Sequence, residues 1–175
     1  MNHRGLSPDH LTAGDVVRLL RLEPLDQEGG YFRRTGGSST ILPGGKRAWS
    51  TIHSLITPEG FSALHRLATD EIWCFHAGDP LESLRLRPDG TGEWVKLGLN
   101  LAHGERPQDV VPAATWQGTR LAAGGRWALV TCVVAPEFVW GDFELGSRET
   151  LVASHAAFAA GIRALTRVVP PAGKL

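Results

Sequence analysis

The chain has two cysteines, Cys74 and Cys132, one methionine and one tyrosine. Two cysteines cannot build a disulfide framework, and no Cys-x-x-Cys pair suggests structural zinc or dithiol redox chemistry. A charge excess is also missing. Eighteen Lys and Arg balance eighteen Asp and Glu, so neither a basic nucleic-acid footprint nor an acidic disordered tail is expected. No run of about 18 apolar residues is present to span a membrane. The opening MNHRGLSPDHLTAG lacks the apolar stretch of a secretory signal. The expectation is a soluble cytoplasmic protein with neither nucleic acid nor membrane as partner.

What the chain does have is punctuation. Its 175 residues include 21 Gly and 11 Pro, which favours many short strands and turns over long helices. The length suits one domain, 1–175, able to bury a core without staples. From Ala48 onward, segments such as AWSTIHSLI, FSALHRL, EIWCFHAG and RWALVTCVVA are rich in β-branched and aromatic residues. TPEG, RPDG and AAGG separate such segments at the spacing of an all-β sandwich or barrel. In SLRLRPDGTGEWVKLGL, Leu84 and Leu86 alternate with Arg85 and Arg87 around a PDG turn, the pattern of a hairpin. A short helix is expected over about 12–22, where Thr12 and Asp15 have capping-box spacing. A second is expected over about 154–166, with Phe158, Ile162 and Leu165 on one side. The core would run over about 28–146, and the tail VVPPAGKL should fray.

Chemistry concentrates in HRLATDEIWCFHAGD, His65 to Asp79. Read as strands joined by the Ala68–Asp70 turn, this stretch sends His65 and Glu71 into one interior. Glu71, Trp73 and Phe75 share a face there, while Cys74 and His76 point the other way. A histidine and a carboxylate inside an apolar barrel are costly unless paired or functional. The adjacent glycines at 29–30 and 36–37 do not make a phosphate loop.

The same stretch resembles the first motif of the cupin superfamily, His-x-His, three residues, Glu, six residues, Gly. His65, Glu71 and Gly78 occupy three of the positions, and Leu67 stands where the second histidine would be. The second cupin motif, Pro-x-Gly-x-x-His, aligns with Pro112, Ala114 and Gln117. EGGYFRRT, FSALHRLATDEIW, AGDPL, LGLNLAHGERPQDVVPAATWQ and VAP…DFEL together are similar to a small cupin family. It is related to RmlC-type sugar epimerases and is catalogued as a domain of unknown function. The resemblance covers roughly Leu19 to Leu151. It implies an all-β, single-domain jelly-roll β-barrel with short N- and C-terminal helices. Departures from the family pattern include Cys74, His76, His53, Glu137 and Ala114.

The resemblance also implies roles. His65 would be a general base oriented by Glu71, as RmlC-type epimerases pair a histidine with a carboxylate. Arg33, Thr51, His53, Trp73, Phe75 and Gln117 would contact a small, polar, sugar-like ligand. The leading expectation is a metal-independent isomerase, epimerase or lyase without cofactor. A non-catalytic binding cupin is a second reading. A divalent metal at His65, Glu71 and Gln117 is a third, with a ligand set short of the usual three strong donors. In related cupins the N-terminal segment crosses to a neighbour, so Glu28, Tyr31 and Arg33 would either complete the partner's pocket or hold the homodimer together.

Overall fold

A computed structural model describes residues 10–167. The opening residues 1–9 and the tail 168–175, expected to fray, lie outside that range. Eleven strands form two antiparallel sheets. In chain order they are β1 (Glu23–Pro24), β2 (Tyr31–Gly37), β3 (Ser50–Ile56), β4 (Ser62–Leu67), β5 (Asp70–Gly78) and β6 (Leu81–Leu86). β7 (Gly92–Leu97), β8 (Gln108–Val111), β9 (Trp116–Leu121), β10 (Ala128–Ala135) and β11 (Phe143–Leu145) complete the set. The six-stranded sheet runs β1-β2-β3-β10-β5-β8, and the five-stranded sheet runs β11-β4-β9-β6-β7. This is the jelly-roll double sheet expected from the sequence.

Three apolar layers hold the fold. Between the sheets lie Ile56, Trp73, Phe75, Leu97, Val111 and Val130. Outside the six-stranded sheet, α1 (Ala13–Leu20) seats Val16 against Leu55 and Trp127. Thr12 and Asp15 form the expected capping box, and Arg21, at φ 52°, ends the helix. Outside the five-stranded sheet, the C-terminal segment packs on Leu64, Leu84 and Leu86.

That third layer corrects one expectation and sets the polarity of β6. Of the single helix expected over 154–166, Ala156–Phe158 is a 3₁₀ turn and only α3 (Ala159–Ala164) is α-helical, while a further helix, α2 (Arg148–Ser154), precedes the expected range. Ser147 caps α2, and the buried His155 bonds the Arg87 carbonyl at 2.8 Å. The helices also give β6 an apolar outer face. Leu84 and Leu86 face outward beneath them, while Arg85 is only 3% exposed and points inward. The alternation was legible, but a face covered by helices is apolar on the outside.

The link between β4 and β5 positions the site. The two strands do not pair; Ala68 and Thr69 carry the chain from one sheet to the other. His65 and Glu71 therefore meet across the barrel, not side by side on a hairpin. At the far end of β5, Gly78 has φ +97°, and a side chain there would collide with the Trp127 backbone. The motif glycine is thus required by a close approach as well as by its dihedral.

Candidate functional site

A cavity of about 200 Å³ opens between the sheets beside this crossover. His65 from β4, Glu71 from β5 and Glu28 from the loop between β1 and β2 form its polar floor. Phe32, Ile52, Val134, Phe138 and Trp140 supply much of its apolar wall. The aromatic residues brace one another: Phe138 and Trp140 meet edge-on at 5.1 Å, and Trp140 and Phe143 at 5.4 Å. Phe143 in turn stacks on the His65 ring at 5.1 Å. Arg34 reaches the cavity and is ion-paired with Glu137 at 3.0 Å.

The floor is a carboxylate–imidazole–carboxylate group. His65 Nδ1 donates to the Ala63 carbonyl at 2.8 Å, which leaves Nε2 directed at Glu71, 3.9 Å from Oε2. Glu28 Oε1 lies 3.9 Å from His65 Nδ1 and accepts the Ser62 hydroxyl. Burial alone would depress the imidazole. The negative charge of Glu28, with Glu71 and the Ala63 carbonyl, outweighs it and pushes His65 up to about 9. Burial likewise opposes ionisation of Glu71, but His65, Gln117 and Trp73 hold it below the usual carboxylate range. Glu28 goes the other way: burial, reinforced by the charge of Glu71, raises it against the pull of His65 and Ser62. At neutral pH the group is an imidazolium beside an ionised Glu71, and Glu28 is the acid with raised proton affinity. Cys132, a buried thiol on the same cavity, is held protonated by burial and by both carboxylates.

Behind Glu71 runs a buried relay. Gln117 Nε2 donates to Glu71 Oε2 at 2.5 Å. Gln117 Oε1 accepts from Trp73 Nε1 and from Arg85 Nη1, each at 3.1 Å. Both are obligate donors, so the amide orientation is forced and its NH₂ must face Glu71. Arg85 is anchored by Asp109, whose Oδ2 accepts from Nη2 at 3.0 Å and from Nε at 3.2 Å.

The residues singled out from the sequence separate into three groups. His65 and Glu71 come together as expected. Trp73, Phe75 and Gln117 are inside but do not line the cavity: the two aromatics belong to the core between the sheets, and Gln117 sits behind Glu71. Arg33, Thr51 and His53 are on the outer face of the six-stranded sheet, away from the cavity. Inward positions on β2 and β3 are Phe32, Arg34, Ser50 and Ile52, and the one-residue step sends Arg33, Thr51 and His53 outward. There Arg33 pairs in register with His53. His53 Nδ1 lies 3.3 Å from the Thr131 hydroxyl, which His76 Nε2 approaches at 2.5 Å. Burial, then the neighbouring His76, lowers His53.

Sequence reasoning missed Arg34, Phe138 and Trp140 as lining residues and Arg85 as an interior one, and it offered Glu28 to a partner's pocket where the structure places it in the cavity of its own chain. The signal for Glu28 was the Gly29-Gly30 pair after it. Both glycines have positive φ, 114° and 72°, and they turn the loop so that Glu28 enters the cavity. The aromatic density of EFVWGDF was the available signal for Phe138 and Trp140.

A divalent metal does not fit this donor set. Gln117 offers the floor an NH₂ rather than a lone pair, because its oxygen is taken by Trp73 and Arg85. Leu67 is apolar, and among the described residues no group of three His, Cys, Asp or Glu side chains is arranged to hold an ion.

Two antiparallel sheets closed around an interior polar group define a cupin. The family described as "Cupin superfamily (DUF985)" matches residues 14–146, and the chain belongs to it. A crystal structure of a protein from Shewanella oneidensis is similar, with 38% identity and a TM-score of 0.85 over 91% of this chain and 99% of that one. A hypothetical protein from Leishmania major is 32% identical, with a TM-score of 0.83 over 90% of this chain and 100% of that one. A cupin 2 domain-containing protein from Halorhodospira halophila, at 13% identity and TM-score 0.55 over 81% and 86% of the two chains, shares the fold. No curated protein matches the sequence. Among the described residues, no helix is long and apolar enough to cross a membrane.

Proposed function

We propose that this cupin binds a small molecule and moves a proton at one of its carbons, as an isomerase, epimerase or lyase. One observation carries the reading: His65, Glu71 and Glu28 converge at the floor of a cavity otherwise walled by apolar side chains. The electrostatics reassign the roles expected from the resemblance. An imidazole with a pKa of about 9 is already protonated at neutral pH, so His65 is the donor to a developing oxyanion and not the base. Glu28, whose proton affinity is raised, takes the carbon-bound proton. Glu71 keeps the imidazolium charged and oriented. A cavity of about 200 Å³ with a largely apolar wall suits a compact carbonyl compound better than a sugar nucleotide.

The test is hydrogen–deuterium exchange from solvent into a panel of small α-substituted ketones and aldehydes. Glu28→Gln, His65→Ala and Glu71→Gln should each slow exchange by about 10²-fold or more. Equal rates in wild type and all three variants would sink the proposal. The apolar wall favours one second reading, a pocket that holds a ligand without turnover; saturable binding with no exchange would select it.

The proposal includes the homodimer. Support comes from Thr51, Val133, Ile72 and Val110, which form a continuous row across the outer face of the six-stranded sheet. Val110 is 52% exposed, and a paired sheet would cover it. Light scattering of wild type and Val110→Glu checks this.

A further inference from the structure

The cavity floor has more acceptors than donors. Glu71 is only 6% exposed, and its Oε2 is engaged by Gln117, yet its Oε1 accepts from no N–H or hydroxyl among the described residues, the weak Cys132 thiol being the other donor beside this carboxylate. Glu28 Oε2 is likewise without a donor among them, since Ser62 binds Oε1. Buried carboxylate oxygens are almost always satisfied, and one directed into a cavity awaits a donor from whatever enters. The only ring donor on the floor is His65 Nε2, because Nδ1 is used on the Ala63 carbonyl.

Charge points the same way. Around the cavity Arg34 is neutralised by Glu137, and Arg85 by Asp109. What remains inside is Glu28 and Glu71 facing one imidazole, with Arg167 outside the lining against the Glu28 carbonyl; an entering cation would hold Glu28 ionised and complete the charge balance. In an apolar enclosure an anion would be repelled and a neutral molecule would leave that balance uncompensated. The wall suits a cation as well, since Phe32, Phe138 and Trp140 border the cavity and aromatic faces attract ammonium groups.

We infer that the ligand is a small primary ammonium compound with a compact apolar body, its N–H donors meeting the free oxygens of Glu71 and Glu28. The inference rests on reading this cavity as the binding site, and it narrows the compact carbonyl compounds of the proton-transfer reading to those that carry a primary ammonium group. Donor matching is what selects a primary amine over a quaternary one, which has charge but no N–H.

Isothermal titration and thermal shift with four probes test it: n-butylammonium, tetramethylammonium, 1-butanol and butyrate. Butylammonium should bind saturably at one site, at least tenfold more tightly than butanol or tetramethylammonium, with butyrate showing no saturable binding. Glu28→Gln should weaken butylammonium about tenfold or more. Trp140→Ala, at a half-exposed position where folding is not at stake, should weaken it several-fold. Butyrate or butanol binding as tightly as the amine overturns the inference. So does amine binding that survives both substitutions, or no saturable amine binding at millimolar concentration. Because deuterium exchange is scored on neutral ketones and aldehydes, failure of the amine leaves that result standing, and the two readings fail separately.

Discussion

The indole N–H of Trp73 points at the carbonyl oxygen of Gln117, 3.1 Å away, and this bond fixes which end of the amide meets Glu71. A core tryptophan thereby controls the protonation of a site it does not line. Together with Arg85 it makes Gln117 a donor to Glu71, and the ionised Glu71 keeps His65 charged.

Replacing Gln117 with leucine removes all three bonds at once. Trp73 and Arg85 lose a buried acceptor and Glu71 loses its buried donor. Each orphaned group costs about 1–3 kcal/mol, so urea unfolding should show a loss of at least about 3 kcal/mol. A loss below about 1 kcal/mol would mean that the amide is not held as described.

Arg85 separates two effects by sign. The double substitution Arg85→Met with Asp109→Asn removes the buried pair without stranding either charge. If Arg85 acts through the amide, Gln117 is left held by Trp73 alone and donates less firmly, Glu71 gains proton affinity and His65 titrates below about 9. If Arg85 acts only as a nearby positive charge, its loss moves His65 upward. An NMR titration of the His65 ring distinguishes the two outcomes and needs no ligand.

Stability should follow the same histidine. Its pKa rises from 6.5 unfolded to about 9 folded. The folded state therefore binds the proton more tightly, and the stabilisation is fully present below pH 6.5 and lost as pH rises through about 9. At ~1.4 kcal/mol per decade of proton affinity the contribution is about 3 kcal/mol. Glu71, with its folded pKa depressed, contributes stability above its ordinary pKa, 4.5, that disappears only as pH falls through the lower folded value. Glu28, with its pKa raised, favours folding below 4.5, and that contribution is lost as pH climbs through its folded pKa. Between pH 7 and 10, urea midpoints of the wild type should fall, and those of His65→Gln should change far less.

Ala114 offers a gain. It sits at φ 63° in the exposed turn before β9, where its Cβ is strained. Left-handed backbone costs a non-glycine residue about 1–2 kcal/mol, and glycine recovers this less its own entropy in the unfolded chain. Ala114→Gly should stabilise by about 0.5–1 kcal/mol; a lower melting temperature would show that the dihedral is not what limits this turn.

How much of this was legible beforehand depended on whether a residue's fate was local. Strand alternation and motif spacing placed His65 and Glu71 inside and Cys74 and His76 outside, because a period of two is written in the chain. The same rule failed for Arg33, Thr51 and His53, since the absolute phase of β2 and β3 is set by pairing partners far away in sequence. It could not tell which face of Leu84, Arg85 and Leu86 is inward, because the cover supplied by α2 and α3 lies some sixty residues later. Glu28 enters the site through a two-glycine turn, and that aim was not readable from side-chain pattern.

Matched family sequence stops at residue 146, but the molecule's mechanical unit does not. Leu64, Leu84 and Leu86 are completely buried only because Leu151, Ile162 and Leu165 lie over them. Cutting the chain at the family boundary would leave a sheet with a greasy outer face and a barrel that associates with itself. The shortest segment that can stand alone therefore extends to Leu165, and the C-terminal helices are a permanent cover on one face of β4, whose other face borders the cavity.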